Sequence, residues 1–241
     1  MRSFASDNNS GVHPLVMEAL NRANIDHSLG YGDDKWTEEA VAKIKETFTP
    51  NCVPLFVFNG TGSNVVALQL MTRPYHSIFC AETAHIYVDE CGSPVKMTGC
   101  QICPIATPDG KLTPELMQPY LHGFGDQHHS QPRALYISQC TELGTIYTPE
   151  ELKRLTDFAH LNGMYVHMDG ARIANACAAL NLSLKELTVD CGVDILSFGG
   201  TKNGLLFGEA MVIVNPALQA NFRYMIKHNG GMMAKGRLCG V

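Results

Sequence analysis

The sequence predicts an α/β fold: a mostly parallel central sheet covered by helices. Three observations carry this. Short apolar segments, rich in β-branched and aromatic residues, recur along the chain at 55–58, 77–81, 134–138, 164–168, 194–198 and 210–214, as expected for strands covered on both faces. Helix-start signatures alternate with them, the order that builds a parallel sheet. Polar residues and glycines gather directly after several of these strands, where open α/β sheets bind their ligands.

Taken in order, the first helix starts at Thr37-Glu38-Glu39, and Val41, Ile44 and Phe48 follow at helical spacing. Strand 55–58 leads through glycines into a helix-like stretch at 65–71, and strand 77–81 comes next. Thr113-Pro114-Glu115 opens another helix, because Thr can cap and Pro suits the first turn. Residues 123–132, Gly-Phe-Gly-Asp-Gln-His-His-Ser-Gln-Pro, read as a surface loop before strand 134–138. Thr148-Pro149-Glu150-Glu151 is a capping box with Pro at its first turn. Leu152, Leu155 and Ala159 give that helix one buried face, and Asn162-Gly163 ends it. Strands 164–168, 194–198 and 210–214 complete the sheet.

Composition narrows the function classes. The 241 residues carry a net charge of −5, and the basic side chains are scattered, so no nucleic-acid footprint is present. The N-terminus lacks the apolar run of a secretory signal. The strongest apolar runs, at 53–58 and 210–214, are strand-sized and too short to span a bilayer. Nine cysteines, an odd number lying mostly in or beside apolar segments, read as free thiols of a cytoplasmic protein. Cys100-Gln101-Ile102-Cys103 has no partner pair, which leaves no metal site to expect.

Four groups at strand ends carry chemistry. Asn59-Gly60-Thr61-Gly62-Ser63-Asn64 joins a strand to a helix, and it reads equally as an anion cradle or as a tight capped turn. Met168-Asp169-Gly170-Ala171-Arg172 puts a carboxylate at the end of a buried strand, where it needs a charged or hydrogen-bonded partner. That partner is either Arg172 or the ring nitrogen of pyridoxal 5'-phosphate (PLP), which an Asp keeps protonated. Ser197-Phe198-Gly199-Gly200-Thr201-Lys202 places an amine among glycines and apolar residues, an environment that favours Schiff-base chemistry. Thr201 can contact a phosphate. His85, beyond strand 77–81, is placed to stack on a ring or move protons. An anion cradle, a carboxylate and an amine are together what PLP requires.

With these residues in view, the chain resembles the low-specificity L-threonine aldolases, members of the fold-type I (aspartate aminotransferase-like) PLP enzymes. The resemblance runs from Ser6-Asp7 through Tyr31-Gly32-Asp33-Asp34, Gly60-Thr61-Gly62-Ser63-Asn64, His85-Ile86 with Glu90, Asp169-Gly170-Ala171-Arg172 and Thr201-Lys202. It implies that Lys202 carries the cofactor as a Schiff base and that Asp169 pairs with the pyridine nitrogen. Gly60, Thr61 and Gly62 hold the phosphate. His85 stacks over the ring and is the candidate for proton transfer. Arg172 contacts the ring oxygen or the substrate carboxylate, and Ser6 lines the substrate side. Lys235 or Arg237 reaches the phosphate of a neighbouring subunit, so a homo-oligomer, a homotetramer or dimer, is expected. The implied reaction is cleavage of L-threonine or L-allo-threonine to glycine and acetaldehyde.

Departures from the family are visible. Gly199-Gly200-Thr201-Lys202 replaces a Ser-Lys, and Ser138-Gln139-Cys140-Thr141-Glu142 replaces an asparagine-containing loop. Family members continue into a small C-terminal domain with a second carboxylate-binding arginine. The expectation here is a PLP-binding large domain over 1–241, with its N-terminal segment and without that small domain. Alternatives are another fold-type I PLP lyase or aminotransferase acting on a small amino acid, or a truncated non-catalytic subunit. A dinucleotide-binding reading uses Gly60-Thr61-Gly62 with Glu82, but Val65 stands at the third glycine position and Asp169 and Lys202 go unexplained.

Overall fold

The computed structural model describes residues 3–241. Its strands are β1 (Val53–Val57), β2 (His76–Ala81), β3 (Gln101–Ile105), β4 (Gln131–Ser138), β5 (Tyr165–Gly170), β6 (Ile195–Gly199) and β7 (Glu209–Ile213). They form a single sheet in the order β1-β7-β6-β5-β4-β2-β3. The pairs β2–β3, β2–β4, β4–β5 and β5–β6 are parallel, whereas β7 runs antiparallel to both β6 and β1. One strand alone is therefore reversed, and the mostly parallel expectation holds. The carboxyl ends of β1, β2, β4, β5 and β6 share one edge of the sheet.

The helices are α1 (Pro14–Ala23), α2 (Lys35–Thr47), α3 (Gly60–Met71), α4 (His85–Val88), α5 (Ser93–Thr98), α6 (Pro114–Met117), α7 (Pro149–Leu161), α8 (Ile173–Leu180) and α9 (Phe222–His228). The capping box of α7 forms as read: Glu151 N–H donates to Thr148 Oγ1 at 3.3 Å and Thr148 N–H to the Glu151 carboxylate at 2.8 Å. Gly163 ends that helix at φ +72°, in the left-handed region where glycine carries no steric cost. Helix α2 starts earlier than the sequence suggests. Asp34 is its cap and accepts from Thr37 N–H at 2.9 Å.

Alternation along the strands divides the core in two. On one face Leu135, Ile137, Val166, Met168 and Leu196 pack with Leu152, Leu155 and Ala159 of α7. On the other, Ala134, Tyr136, Ile195 and Met211 pack with Val66, Ala67 and Leu68 of α3. Burying one Leu on either face stabilises the fold by about 1.5–3 kcal/mol.

Several elements escape the sequence reading, α1, α4, α5, α8, α9 and β3 among them. Strand β3 holds Cys103 and Pro104 and is an edge strand, where a proline without an N–H costs little of the ladder. Helix α8 is almost wholly apolar, and its cap position is Arg172, which makes no side-chain capping bond; no start signature marks it. Among the described residues no helix is long and apolar enough to cross a membrane.

Candidate active site

A cavity of about 180 Å³ opens at the carboxyl edge of the sheet. Gly60, Thr61, His85, Asp169, Arg172, Thr201 and Lys202 all line it. These residues come from four separate strand ends, so only the sheet brings them together.

The glycine-rich stretch forms the first turn of α3, not a free loop. Asn59 caps it, accepting from Gly62 N–H at 2.8 Å. The amides of Gly60 and Thr61 are left without intrahelical partners, as at any helix start. A Cβ built on Gly60 would meet nothing within 4 Å. The space is therefore open beside a turn that presents N–H groups and the positive end of a helix dipole. Gly62 is not among the lining residues, because its amide is spent on the cap.

Strand β5 alternates, so Val166 and Met168 face one core while His167 and Asp169 face α3. Asp169 is buried. One oxygen accepts from Tyr136 Oη–H at 2.7 Å and from Asn64 Nδ2–H at 3.1 Å, and the other accepts from Ala171 N–H at 2.9 Å. Burial pushes its carboxyl towards the neutral form, but these three donors and the adjacent His167 outweigh burial and hold it below the usual carboxylate range. Burial drives His167 the other way, well below the usual imidazole range. Asp169 is thus a dry, preorganised anion. The alternative Asp169–Arg172 ion pair does not form. Arg172 grips Asp7 instead, through Nε at 2.6 Å and Nη2 at 3.0 Å.

Lys202 sits on a 3-10 turn (Thr201–Asn203) directly after β6. The turn is reached through a close approach of backbones: a Cβ on Gly199 would lie 2.4 Å from the Ala171 carbonyl oxygen. Lys202 is half-buried, and its Nζ makes no hydrogen bond or ion pair among the described residues. Thr201 Oγ1 donates to the Gly208 carbonyl at 3.3 Å.

His85 opens α4. Its Nδ1 meets the fully buried Glu90 carboxylate at 2.8 Å, and that hydrogen bond raises its pKa, more than burial lowers it. Its backbone N–H donates to Glu142 at 2.9 Å, and Ser138 Oγ–H donates to the same oxygen at 2.6 Å.

Ser6 is not among the lining residues. It caps a 3-10 turn (Asp7–Asn9), accepting from Asn8 N–H at 3.2 Å, and Asn8 reaches the cavity in its place. Lys235 and Arg237 lie elsewhere, at the C-terminal turn, where Arg237 donates to the Asp26 carbonyl at 3.2 Å. Asn64, Ser138, Cys140, Glu142 and Glu209 also line the cavity, and the sequence reading gave none of them a role. Glu209 accepts from Gly200 N–H at 2.6 Å, and burial raises its pKa. Only its place as the first residue of strand β7, beside the lysine turn, was available as a signal.

An anion seat at a helix start, a buried carboxylate and an unpaired amine share one small cavity. This donor set fits PLP: a phosphate for the α3 terminus, a ring nitrogen for Asp169 and a carbonyl for Lys202. The fold is of the aspartate aminotransferase-like class. A Thermus thermophilus aspartate aminotransferase superposes with a TM-score of 0.69 at 12% identity, over 96% of this chain and 61% of that one. Nearer relatives narrow the class. The Leishmania major threonine aldolase matches with a TM-score of 0.94 at 34% identity, covering 100% of this chain and 70% of that one. A low specificity L-threonine aldolase from Pseudomonas sp. is 41% identical over 98% of this chain and 68% of its own length. The beta-eliminating lyase family model matches residues 3–240, and the chain belongs to this family.

Proposed function

We propose that the chain binds pyridoxal 5'-phosphate and cleaves L-threonine or L-allo-threonine to glycine and acetaldehyde. One observation carries the reading: Lys202, Asp169 and the Gly60–Thr61 helix start converge on a single cavity with His85 and Arg172. The named activity of relatives matching nearly the whole chain supports it. Residues 1–241 then act as the cofactor-binding large domain with its N-terminal segment.

Bound PLP supplies a carbonyl for the substrate amine and a protonated ring that accepts the electrons released when the Cα–Cβ bond breaks. The residues do the rest. Lys202 Nζ would hold the cofactor through its carbonyl. The Asp169 carboxylate, its lone pairs fixed by Tyr136, Ala171 and Asn64, would keep a proton on the ring nitrogen. The amides of Gly60 and Thr61, with the Thr61 hydroxyl, would hold the phosphate, joined by Thr201 once its hydroxyl turns from the Gly208 carbonyl; Gly62 contributes by fixing the turn. His85 would pack against the ring and take the proton of the β-hydroxyl, its Nδ1 held by Glu90 so that Nε2 remains for the substrate side. Arg172 presents a guanidinium, oriented by Asp7, to the ring oxygen or the substrate carboxylate. Ser6 belongs to the segment that closes the substrate side. Lys235 or Arg237 reaches a neighbour's phosphate in a homo-oligomer, a dimer or tetramer. The free cysteines support a reducing compartment, the cytoplasm.

The test is incubation of the PLP-loaded protein with L-threonine and L-allo-threonine, assaying acetaldehyde and glycine. The expected result is production of both, lost in Lys202→Ala together with the visible absorbance of bound cofactor. Retained absorbance in Lys202→Ala overturns the attachment. Pyruvate from L-serine without acetaldehyde from threonine assigns side-chain elimination instead.

A further inference from the structure

Helix α3 does more than present its first turn to an anion. One turn in, Asn64 is fully buried and every polar atom of its side chain is engaged. Its Nδ2 donates to Glu90 Oε1 at 2.8 Å and to Asp169 Oδ2 at 3.1 Å. Its Oδ1 accepts from Ser197 Oγ–H at 3.0 Å and lies 2.9 Å from His167 Nε2. Ser197 Oγ in turn lies 2.6 Å from Ser63 Oγ. Two carboxylates on one side fix which way the amide points, since only its NH2 group can serve both. His167 then donates from Nε2, and its buried Nδ1 is left without a partner.

The two acids bridged by Asn64 belong to different arms of the cavity. Glu90 holds the His85 ring, and Asp169 is the anion opposite Lys202. Glu90 is the more exposed to loss, because its Oε2 is buried with no hydrogen-bond partner. Its hydrogen bonding therefore rests on Oε1, which only Asn64 and His85 satisfy. An unmade bond to a buried carboxylate is costly.

We propose that Asn64 is a positioning residue that ties the Glu90–His85 pair and the Asp169 carboxylate into one hydrogen-bonded unit, holding both arms in register with the anion seat of the same helix. This deepens the PLP reading and rests on it for its catalytic meaning. Asn64 touches no substrate in this scheme; it acts through Glu90 and Asp169. The charged groups facing His85 are Glu90 beyond α4, Asp169 on β5, Lys202 on the turn after β6 and Glu142 beyond β4. Those facing Asn64 are Glu90, Asp169 and His167.

The experiment is NMR titration of the His85 and His160 imidazoles in cofactor-free protein, for wild type, Asn64→Ala and the volume-conserving Asn64→Leu, with PLP affinity measured in parallel. In both variants Glu90 loses the amide that fixes it against the His85 ring, so the raised His85 midpoint falls by about half a unit or more. PLP affinity falls about tenfold in both. The His160 midpoint, set by its own partner Asp194, stays in place, since only general loosening would move it too. An unchanged His85 midpoint in either folded variant, or a His160 midpoint that moves with it, overturns the proposal. Should Asn64→Ala fail to fold, Asn64→Leu decides it. Wild-type protein that binds no PLP defeats the cofactor reading, while the cofactor-free titration still decides the role of Asn64.

Discussion

Replacing Tyr136 with Phe removes a single oxygen from a fully buried ring and leaves the aromatic packing of the α3 face in place. That oxygen donates the shorter of the two hydrogen bonds to Asp169 Oδ2, 2.7 Å against 3.1 Å from Asn64. A hydrogen bond to a charged group contributes about 1.5–3 kcal/mol, and the carboxylate stays buried after its loss, so the expected cost is about 2 kcal/mol. For a chain of this length that lowers Tm by about 4–8 °C. Its hydrogen bonds hold the Asp169 carboxyl below the ordinary value of 3.8 in the folded protein. Its contribution is therefore fully present above that unfolded value and is lost as pH falls through the lower folded one. Tyr136→Phe raises the folded value, so the stability gap to wild type is widest near neutrality and narrows in acid. Urea unfolding of cofactor-free wild type and variant, followed from pH 7 downwards, measures this. Equal stability at pH 7, or a gap that widens in acid, would refute the argument that Tyr136 stabilises an ionised Asp169.

Three further outcomes follow from the same geometry. Gly199→Ala drives a methyl group into the backbone of Ala171, 2.4 Å from its carbonyl oxygen. Neither strand end can yield, so a loss of about 3 kcal/mol is expected, seen as a large drop in the denaturation midpoint or in soluble yield. Glu90→Gln removes the partner that raises the His85 pKa above 6.5. A raised imidazole contributes stability that is complete below its unfolded value and lost as pH rises through its folded value. The variant should therefore show flatter pH dependence of stability above about pH 6.5, and a wild-type slope there would count against the pair. Thr148→Ala deletes one half of the α7 capping box and should cost about 1 kcal/mol, read as a Tm lower by about 2–4 °C; cofactor binding, remote from that cap, should be unaffected.

The sequence by itself determined the α/β class and the strands that matter. A buried strand must be a short apolar run, and a helix must start with groups that satisfy its first amides. Both requirements are local, so 164–168 and Thr148-Pro149-Glu150-Glu151 were legible from spacing alone. Asp169 and Lys202 were legible for a related reason: charged groups at the ends of buried strands demand partners. The edge strand β3 was not, because a cysteine followed by a proline carries no strand pattern unless the edge position is known.

Only the tertiary structure decided who partners whom. Arg172 turned to Asp7, 165 residues away, and not to Asp169, three residues away. Tyr136, Asn64 and Glu90 gathered around the Asp169 carboxylate and the His85 imidazole from three other parts of the chain. Nothing local distinguishes Asn64 from any capping-region amide, since its four contacts lie 26 to 133 residues away. Short-range rules fix elements because backbone hydrogen bonding and burial are settled within a few residues. A site is settled by pleat, register and strand order, and these exist only once the sheet has closed.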